Sequence, residues 1–307
     1  MSPLHSEFIE KFNTINFEQI KDHPNILIAA NFWDEDRYLA AKTCYKFMRA
    51  IDDLIDNYKA DHKTIVEDKK PQFETQVNQW INMIFERNAD QIDQELTETF
   101  IKFKIPLWPM ENFAKSMIYD VYHDGFATVQ DFLNYAEGAS VAPASIFVHL
   151  CGLQGQNGQY ANPGFDVRSA ATPCAVFSYL VHIIRDFQKD QHHHLFYFAD
   201  DLITKNGLTR QELSDIAHGS EVKEGFRKLI SEYYSLADQY RQKTFDAIKN
   251  IRPLLEPRYQ LSLDIIFNLY LMVFERIDIK NGSFSTVELN PKAAEIKQRV
   301  YQTILDF

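Results

Sequence analysis

Glycine is scarce in this sequence, which holds only 10 glycines among 307 residues. That is less than half of the roughly 7% that proteins use on average. β-Sandwiches and β-barrels need many turns, and glycine supplies many of those turns. No alternating apolar and polar run of useful length predicts a strand. The composition therefore favours a mostly helical protein.

The sequence is also poor in cysteine and lacks a long apolar run. Its three cysteines, Cys44, Cys151 and Cys174, lie far apart and form no CxxC pair. They predict neither a disulfide framework nor a zinc site, and they favour a reducing compartment. The longest apolar runs, 174–184 and 266–274, are far shorter than the ~20 residues that span a bilayer. The N-terminus lacks the apolar stretch of a signal peptide. We expect a cytoplasmic protein whose membrane contact, where there is any, is peripheral.

Positive charge is in deficit, with 32 Lys and Arg residues against 43 Asp and Glu residues and a formal net charge of −11. This balance argues against a nucleic-acid partner, because binding a phosphate backbone needs a basic face. An acidic protein can still bind an anionic ligand through a divalent cation, since carboxylates hold Mg²⁺ and Mg²⁺ contacts phosphate oxygens. The composition leaves such a metal site open.

Apolar residues recur at helical spacing along most of the chain. Neither GxGxxG nor GxxxxGK[ST] occurs, which argues against dinucleotide-binding and P-loop folds. No linker or repeat marks a boundary, so we predict an all-α protein with a single domain over residues 1–307. Residues 152–164 are predicted to form the one conspicuous loop. The predicted helices cover residues 34–58, 70–87, 91–103, 109–122, 129–150, 169–190, 210–217, 220–247, 257–275 and 291–305.

The first segment that carries chemistry is 45–56. Arg49, Asp52 and Asp56 lie between about 100° and 160° from Ile51 on a helical wheel, so they share one face. Asp52 and Asp56 are one turn apart, at roughly 5–6 Å between Cβ atoms. That distance allows the two carboxylates to bridge a divalent ion. The opposite, apolar face of the helix is formed by Cys44, Phe47, Met48, Ile51, Leu54 and Ile55.

The second such segment is 177–190, which carries another aspartate pair. On a helical wheel, Tyr179, His182 and Asp190 fall within about 60° of Asp186. Like charges four residues apart destabilise an isolated helix by ~0.2–0.5 kcal/mol, so the pair calls for a cation. The opposite face is apolar and is formed by Phe177, Leu180, Val181, Ile184 and Phe187.

Two such pairs are more informative than one. A single aspartate pair on a helix of an acidic protein is usually a solvated face. Here each pair is backed by an apolar face and lies close to an arginine, Arg49 or Arg185. Mg²⁺ is usually held by one or two carboxylates together with water and substrate phosphates. Two facing pairs would therefore hold Mg²⁺ ions around a diphosphate and stabilise it as a leaving group from an allylic carbon.

Four segments, in the same order and at similar spacing, resemble the squalene/phytoene synthase family of head-to-head prenyl transferases. Segment 34–56 resembles the family's first aspartate-rich helix, and 182–190 resembles its second aspartate motif. Segment 117–143 resembles the helix that bears the active-site tyrosine, which matches Tyr135. Segment 269–277 resembles the final helix, with Tyr270 at its tyrosine position.

The resemblance implies an isoprenoid-synthase fold, in which a helical bundle surrounds a central active-site cavity. It also implies that two allylic prenyl diphosphates join head to head, with two or three Mg²⁺ ions bridging the diphosphate and with NADPH when the product is squalene. The aromatic richness of the chain fits a pocket for a carbocation, although most of these rings would serve any large helical core. The candidate residues are Arg49, Tyr135 and Tyr270 for catalysis, Asp52, Asp56, Asp186 and Asp190 for metal, and Arg49, Tyr179, His182, Arg185 and Tyr197 for substrate.

Some positions depart from the family pattern. Tyr179 and His182 stand where the family usually has Gln and Asn, Ser140-Val141 replaces its usual Ala-Gly step, and residues 192–197 replace an Arg-Gly-Arg-like run.

Three hypotheses about the function remain open. The leading one is a Mg²⁺-dependent enzyme that makes a squalene- or phytoene-type product. The second keeps the ionisation of one prenyl diphosphate but changes the acceptor, as in a terpene cyclase. The third is a non-catalytic binding protein, which the four intact aspartates argue against. Prenyl chain length and oligomeric state stay open.

Overall fold

The structure is a computed structural model that describes residues 3–19, 25–86, 94–156 and 159–307. In this part of the chain, helices dominate, as the low glycine content predicts, and the two strands are three residues each. The helices are α1 (Pro3–Thr14), α2 (Asn25–Ala30), α3 (Glu35–His62), α4 (Lys70–Glu86), α5 (Gln94–Lys102), α6 (Trp108–Tyr122), α7 (Val129–Ala136), α8 (Ala142–Gly152), α9 (Val167–Arg185), α10 (Phe187–His192), α11 (Asp200–Lys205), α12 (Arg210–Ala217), α13 (Glu224–Ile251), α14 (Pro257–Phe274), α15 (Thr286–Leu289) and α16 (Ala293–Asp306).

Local signals in the sequence explain where the main helices begin. The side chain of Asp34 caps α3 by accepting a hydrogen bond from the backbone N–H of Arg37 at 3.0 Å. Thr128 and Asp131 form a capping box at the start of α7. Asp166 caps α9 through the N–H of Ser169. Such caps satisfy backbone donors that have no partner inside the helix, and each contributes about 1 kcal/mol.

Helix α9 lies in the centre of the fold, packed against α8, α13 and α14. Buried apolar side chains from these and the other helices form one continuous cluster. By length and composition, α9 would also be long enough to cross a membrane, and it alone meets that test within the described residues. Half of that apolar window is buried inside the protein.

The helix predicted over 129–150 is interrupted. Between α7 and α8, residues Glu137–Val141 form a π-helical turn, in which the N–H of Ala142 bonds to the carbonyl of Glu137, five residues back. Pro143 accounts for the change, because it has no N–H and its ring would clash with the carbonyl four residues earlier. The turn also presses closely on α6. A Cβ atom on Gly138 would lie only 2.0 Å from the carbonyl oxygen of Asn112.

The helix predicted over 169–190 is also interrupted, at Asp186. This residue has φ −91° and ψ 2° and separates α9 from α10. The ladder of i to i−4 hydrogen bonds nevertheless continues through it, from Asp186 N–H to His182 O at 2.8 Å and from Asp190 N–H to Asp186 O at 2.8 Å. The two aspartates therefore remain about one turn apart, as predicted.

Other differences are smaller. The predicted loop at 152–164 contains a short antiparallel hairpin of β1 (Gln154–Gln156) and β2 (Gln159–Ala161). The predicted helix at 220–247 begins four residues later and extends to Ile251. The predicted helix positions 87 and 91–93 lie outside the described residues. Four helices were not predicted, namely α1, α2, α11 and α15.

Candidate active site

The predicted aspartates line a cavity of about 1010 Å³ between the central helices. One part of its wall is acidic and comes from α3 and from the junction of α9 with α10. The other part is apolar and includes Phe113, Phe147, Val148, Leu263 and Ile266. The cavity therefore offers carboxylates and hydrocarbon surface to the same ligand.

Helix α3 supplies Arg49, Asp52, Asp53 and Asp56 to the wall. Its apolar stripe turns these residues towards the cavity, because Cys44, Ile51 and Ile55 are buried in the core while Leu54 is only partly buried. Arg49 forms ion pairs with Asp52 at 3.2 Å and with Asp53 at 2.6 Å. The guanidinium thus stands beside the first aspartate pair and remains 46% exposed, accessible to an anionic ligand.

Helices α9 and α10 supply the second pair, whose two members have different surroundings. Arg185 donates a hydrogen bond to each carboxylate oxygen of Asp186, from Nε at 2.8 Å and from Nη2 at 2.6 Å. Burial alone would raise the pKa of Asp186, but the hydrogen bonds and charge of Arg185 hold it below its usual value. Burial and the charge of Asp186 raise the pKa of Asp190 well above its usual value. The negative charge of Asp186 is therefore already balanced by Arg185, whereas the charge of Asp190 needs a proton or a cation to balance it.

The two pairs act on each other electrostatically. Burial raises the pKa of Asp52 to about 6, against the lowering effect of Arg49. Burial raises the pKa of Asp56 well above its usual value, and the charges of Asp52, Asp120 and Asp190 raise it further. Carboxylates from α3, α6 and α10 thus share one region of negative potential. A cation bound there would relieve the repulsion among them.

The donor set fits Mg²⁺ bound together with a substrate. Among the residues that the structure describes, no group of three or more His, Cys, Asp or Glu side chains could hold a metal ion by itself. Mg²⁺ seldom needs such a cage, because one or two carboxylates suffice when water and phosphate oxygens complete the octahedron. Asp52 with Asp56, and Asp190 beside Asp186, are pairs of this kind.

Aromatic side chains form the wall next to the acidic region. The ring of Tyr179 lies 6.2 Å from that of Tyr135 and 6.0 Å from that of Tyr197, between centroids. The ring of Tyr270 lies 5.0 Å from that of His182. Burial raises the pKa of Tyr270 to about 12, and it also raises those of the other three tyrosines. All four phenols are therefore neutral at physiological pH.

Every candidate residue from the sequence lies on the wall of this one cavity. Sequence reasoning missed three further residues. Asp53 and Lys189 also line the cavity, and Asp120 on α6 accepts a hydrogen bond from the hydroxyl of Tyr135. Asp120 could have been found from its position, because it lies beside Met117 and Val121, which are buried. A carboxylate among buried neighbours needs a partner.

A predominantly helical bundle around a cavity that is acidic in one part and apolar in another is the architecture of isoprenoid-synthase folds. Comparison with known proteins narrows this class. The family model described as "Squalene/phytoene synthase" matches residues 22–294. The chain belongs to the squalene/phytoene synthase family, whose members are prenyltransferases.

Several solved structures share the fold, and three of them illustrate the similarity to this chain. A dehydrosqualene synthase in complex with ligand has a TM-score of 0.67 at 15% identity, covering 98% of this chain and 99% of its own. The squalene synthase HpnC from Alicyclobacillus acidocaldarius has a TM-score of 0.63 at 12% identity, covering 98% and 97%. YisP from Bacillus subtilis subsp. subtilis strain 168 has a TM-score of 0.63 at 15% identity, covering 98% and 99%.

A curated relative is similar over part of its length. Phytoene synthase 2, chloroplastic, from Zea mays is 22% identical over 182 residues. The matched region spans 58% of this chain and 42% of the relative, which is less than half of that protein.

Proposed function

We propose that this protein is a Mg²⁺-dependent prenyltransferase that condenses two allylic prenyl diphosphates, farnesyl or geranylgeranyl, head to head to a squalene- or phytoene-type product. The observation that carries the proposal is the cavity, in which two aspartate pairs adjoin a large apolar space. Its volume of about 1010 Å³ is at the upper limit of the ~300–1,000 Å³ typical of ligand pockets. This size suits two long hydrocarbon chains better than one small ligand.

The residues have distinct proposed tasks. Asp52, Asp56, Asp186 and Asp190 would hold two or three Mg²⁺ ions, which neutralise the diphosphate as it leaves. Arg49 would contact the same diphosphate, since its guanidinium borders the cavity and is only partly enclosed.

Arg185 would orient Asp186 through its two hydrogen bonds to the carboxylate. The proposed substrate-contacting side chains, Tyr179, His182 and Tyr197, and the proposed catalytic side chains, Tyr135 and Tyr270, line the adjoining wall. Their ring faces would stabilise a carbocation that forms when the diphosphate departs.

The decisive experiment is a product assay. Purified protein is incubated with Mg²⁺ and radiolabelled farnesyl or geranylgeranyl diphosphate, with and without NADPH, and organic extracts are analysed. A C30 or C40 hydrocarbon supports the proposal, and a requirement for NADPH identifies the reductive, squalene-type branch. A monomeric cyclic product or alcohol would instead show that one prenyl diphosphate reacts with a different acceptor. No turnover and no Mg²⁺-dependent diphosphate binding would leave a non-catalytic binding protein.

Variants test the metal pairs directly. Asp52→Asn and Asp186→Asn are each expected to abolish ionisation, because each removes a carboxylate from one pair, while helix content by circular dichroism stays unchanged. Asp246→Asn is the matched control, since Asp246 is exposed on α13. Turnover that persists in either cavity variant would refute the role of the pairs.

The cellular setting follows from the chemistry. The substrates are anionic and the proposed product is an apolar hydrocarbon. We therefore propose a cytoplasmic enzyme with peripheral membrane contact, where the product can partition. Separation of cell extracts into soluble and membrane fractions, at low and high salt, tests this location.

A further inference from the structure

Gln188 lies on α10 between the two aspartates of the second pair, and its side chain makes two hydrogen bonds to the backbone of other helices. Its Nε2 donates to the carbonyl of Ala217, the last residue of α12, at 3.1 Å. Its Oε1 accepts from the N–H of Thr286, the first residue of α15, at 2.9 Å. A carbonyl only accepts and an N–H only donates, so these partners fix which end of the amide is oxygen. Gln188 therefore joins α10, α12 and α15 beside the aspartate pair.

Both backbone partners of Gln188 lie at helix ends. The first N–H groups and the last carbonyls of a helix have no partner within that helix. Leaving such a group unpaired away from water costs about as much as a lost hydrogen bond. The amide of Gln188 thus satisfies one group of this kind in α12 and one in α15.

Helix α15 forms a thin part of the cavity wall next to this bond. Thr286 and Asn290, at either end of the helix, line the cavity. Val287, which follows Thr286, is 88% exposed to solvent. A single short helix therefore separates the cavity from solvent at this point. Because Thr286 is bonded to Gln188, this part of the wall adjoins the second aspartate pair.

Different contacts attach and brace the α15 segment, which we define as residues 283–290. Phe284 and Leu289 are each 1% exposed and anchor it in the apolar core. The carboxylate of Glu288 braces the segment from within, since it accepts from the backbone N–H of Phe284 at 2.8 Å. This internal bond gives the segment its shape without attaching it to α10. The hydrogen bond to Gln188 makes that attachment.

We propose that Gln188 is a positioning residue that holds the α15 segment closed over the second aspartate pair and so keeps water from the carbocation. This inference rests on the proposed function. When the C–O bond of the prenyl diphosphate breaks, the diphosphate leaves with the electron pair and the allylic carbon becomes a cation. A water molecule that entered would form a C–O bond with this carbon and release a proton to solvent, which gives a prenyl alcohol. A closed wall excludes that water, so the cation reacts with the second prenyl chain.

The ratio of prenyl alcohol to hydrocarbon is the first readout. Gln188→Met keeps the length of the side chain and removes both hydrogen bonds. A lost neutral hydrogen bond changes an equilibrium roughly threefold to tenfold, so the ratio should rise by about that factor in an assay with Mg²⁺ and radiolabelled prenyl diphosphate. Gln242→Met is the matched control and should leave the ratio unchanged, because Gln242 is exposed and donates to Asp238 at 2.9 Å. Slower turnover of Gln188→Met at an unchanged ratio would show a purely structural role and overturn the proposal.

Substitutions at Thr286 isolate the backbone bond. Thr286→Ala removes the side chain and keeps the N–H, whereas Thr286→Pro removes both. Proline suits the first position of a helix, and Ser285 already has φ −78° and ψ 154°, the backbone region that a residue before proline prefers. The alcohol ratio should be higher in Thr286→Pro than in Thr286→Ala. In the Gln188→Met background the two should give equal ratios, because the bond is already absent; a difference that persists there would overturn the proposal.

Hydrogen exchange tests the closure without turnover. The N–H groups of Leu289 and Asn290 donate to carbonyls within the α15 segment at 3.1 and 3.0 Å, so they exchange when the segment opens. With Mg²⁺ and inorganic diphosphate added, Gln188→Met should speed their exchange roughly threefold to tenfold, and Gln242→Met should not. Unchanged exchange in Gln188→Met would overturn the proposal. If the wild-type protein yields no hydrocarbon, the proposed function fails, and the exchange rates still decide whether Gln188 holds the segment closed.

Discussion

Replacing Asp56 with Asn is expected to stabilise the metal-free protein and to abolish its response to Mg²⁺. Asp52 and Asp56 lie one turn apart on α3, where side chains are about 5–6 Å apart. Two unit charges at that distance repel by about 3 kcal/mol at an effective dielectric constant of about 20. Partial protonation already relieves some of this repulsion, since burial and three neighbouring carboxylates raise the pKa of Asp56.

We therefore expect Asp56→Asn to increase the free energy of unfolding of the metal-free protein by about 1–2 kcal/mol at pH 8. For 307 residues, 1 kcal/mol corresponds to about 1.5 °C in Tm, so the expected rise is roughly 1.5–3 °C. The wild-type protein should gain stability on adding Mg²⁺ with inorganic diphosphate, because both bind only the folded state. The variant should gain much less.

Differential scanning calorimetry in EDTA, and then in Mg²⁺ with diphosphate, measures both effects. Asp246→Asn removes one exposed negative charge from α13 and should change neither quantity by more than about 0.5 kcal/mol. A lower Tm for metal-free Asp56→Asn would show that Asp56 makes a net stabilising contact. A wild-type response to Mg²⁺ in this variant would show that the metal binds elsewhere.

Three further predictions concern stability. Gly138→Ala should lower the free energy of unfolding by about 3 kcal/mol or more, because the new Cβ would lie 2.0 Å from the carbonyl oxygen of Asn112, which cannot move without its helix. A decrease below about 1 kcal/mol in thermal denaturation would show that the π-helical turn can shift. Arg37→Met should lower the free energy of unfolding, measured in urea, by about 2–4 kcal/mol, because the buried guanidinium donates to the carbonyls of Leu150 and Leu153 at 3.1 and 3.0 Å. Unchanged stability would show that these two carbonyls find other donors. The Tm of the metal-free protein should fall from pH 5.5 to pH 8, because the pKa values of Asp52 and Asp120 in the folded protein, about 6 and about 7, exceed the ordinary 3.8. The folded state therefore holds protons that the unfolded chain has released, and this stabilisation is lost as the pH rises. A Tm that rises over this range would contradict these pKa directions.

Most of the long helices, and the faces that they bury, follow from local periodicity. The apolar stripe of α3 places Ile51 and Ile55 in the core and leaves Asp52 and Asp56 on the cavity wall. The same reasoning holds for α9, where Leu180 is buried. An amphipathic repeat depends only on the helical period, so it is visible in the sequence alone.

Features that depend on contacts between elements are not visible in this way. The π-helical turn results from Pro143 together with the close approach of Gly138 to α6. Asp120 acquires its partner only because α6 packs beside the helix that carries Tyr135. The hairpin strands are three residues long, too short for a period-two pattern to be recognised. Sequence reasoning therefore reached the aspartate pairs that line the cavity but missed Asp120, which accepts a hydrogen bond from Tyr135.

The π-helical turn also determines how this region tolerates changes in length. It holds one residue more per turn than an α-helix and lies between Tyr135 and the cavity-lining residues of α8, Phe147 and Val148. Deleting one residue from Glu137–Val141 would remove that extra residue, so the segment could become a regular α-helix while α7 and α8 kept nearly their present phase. A deletion at the start of α8, before Phe147, would instead rotate the residues that follow by about 100° and turn Phe147 and Val148 away from the cavity. Homologous chains that share this architecture should therefore accept a one-residue deletion in the turn more readily than one in α8.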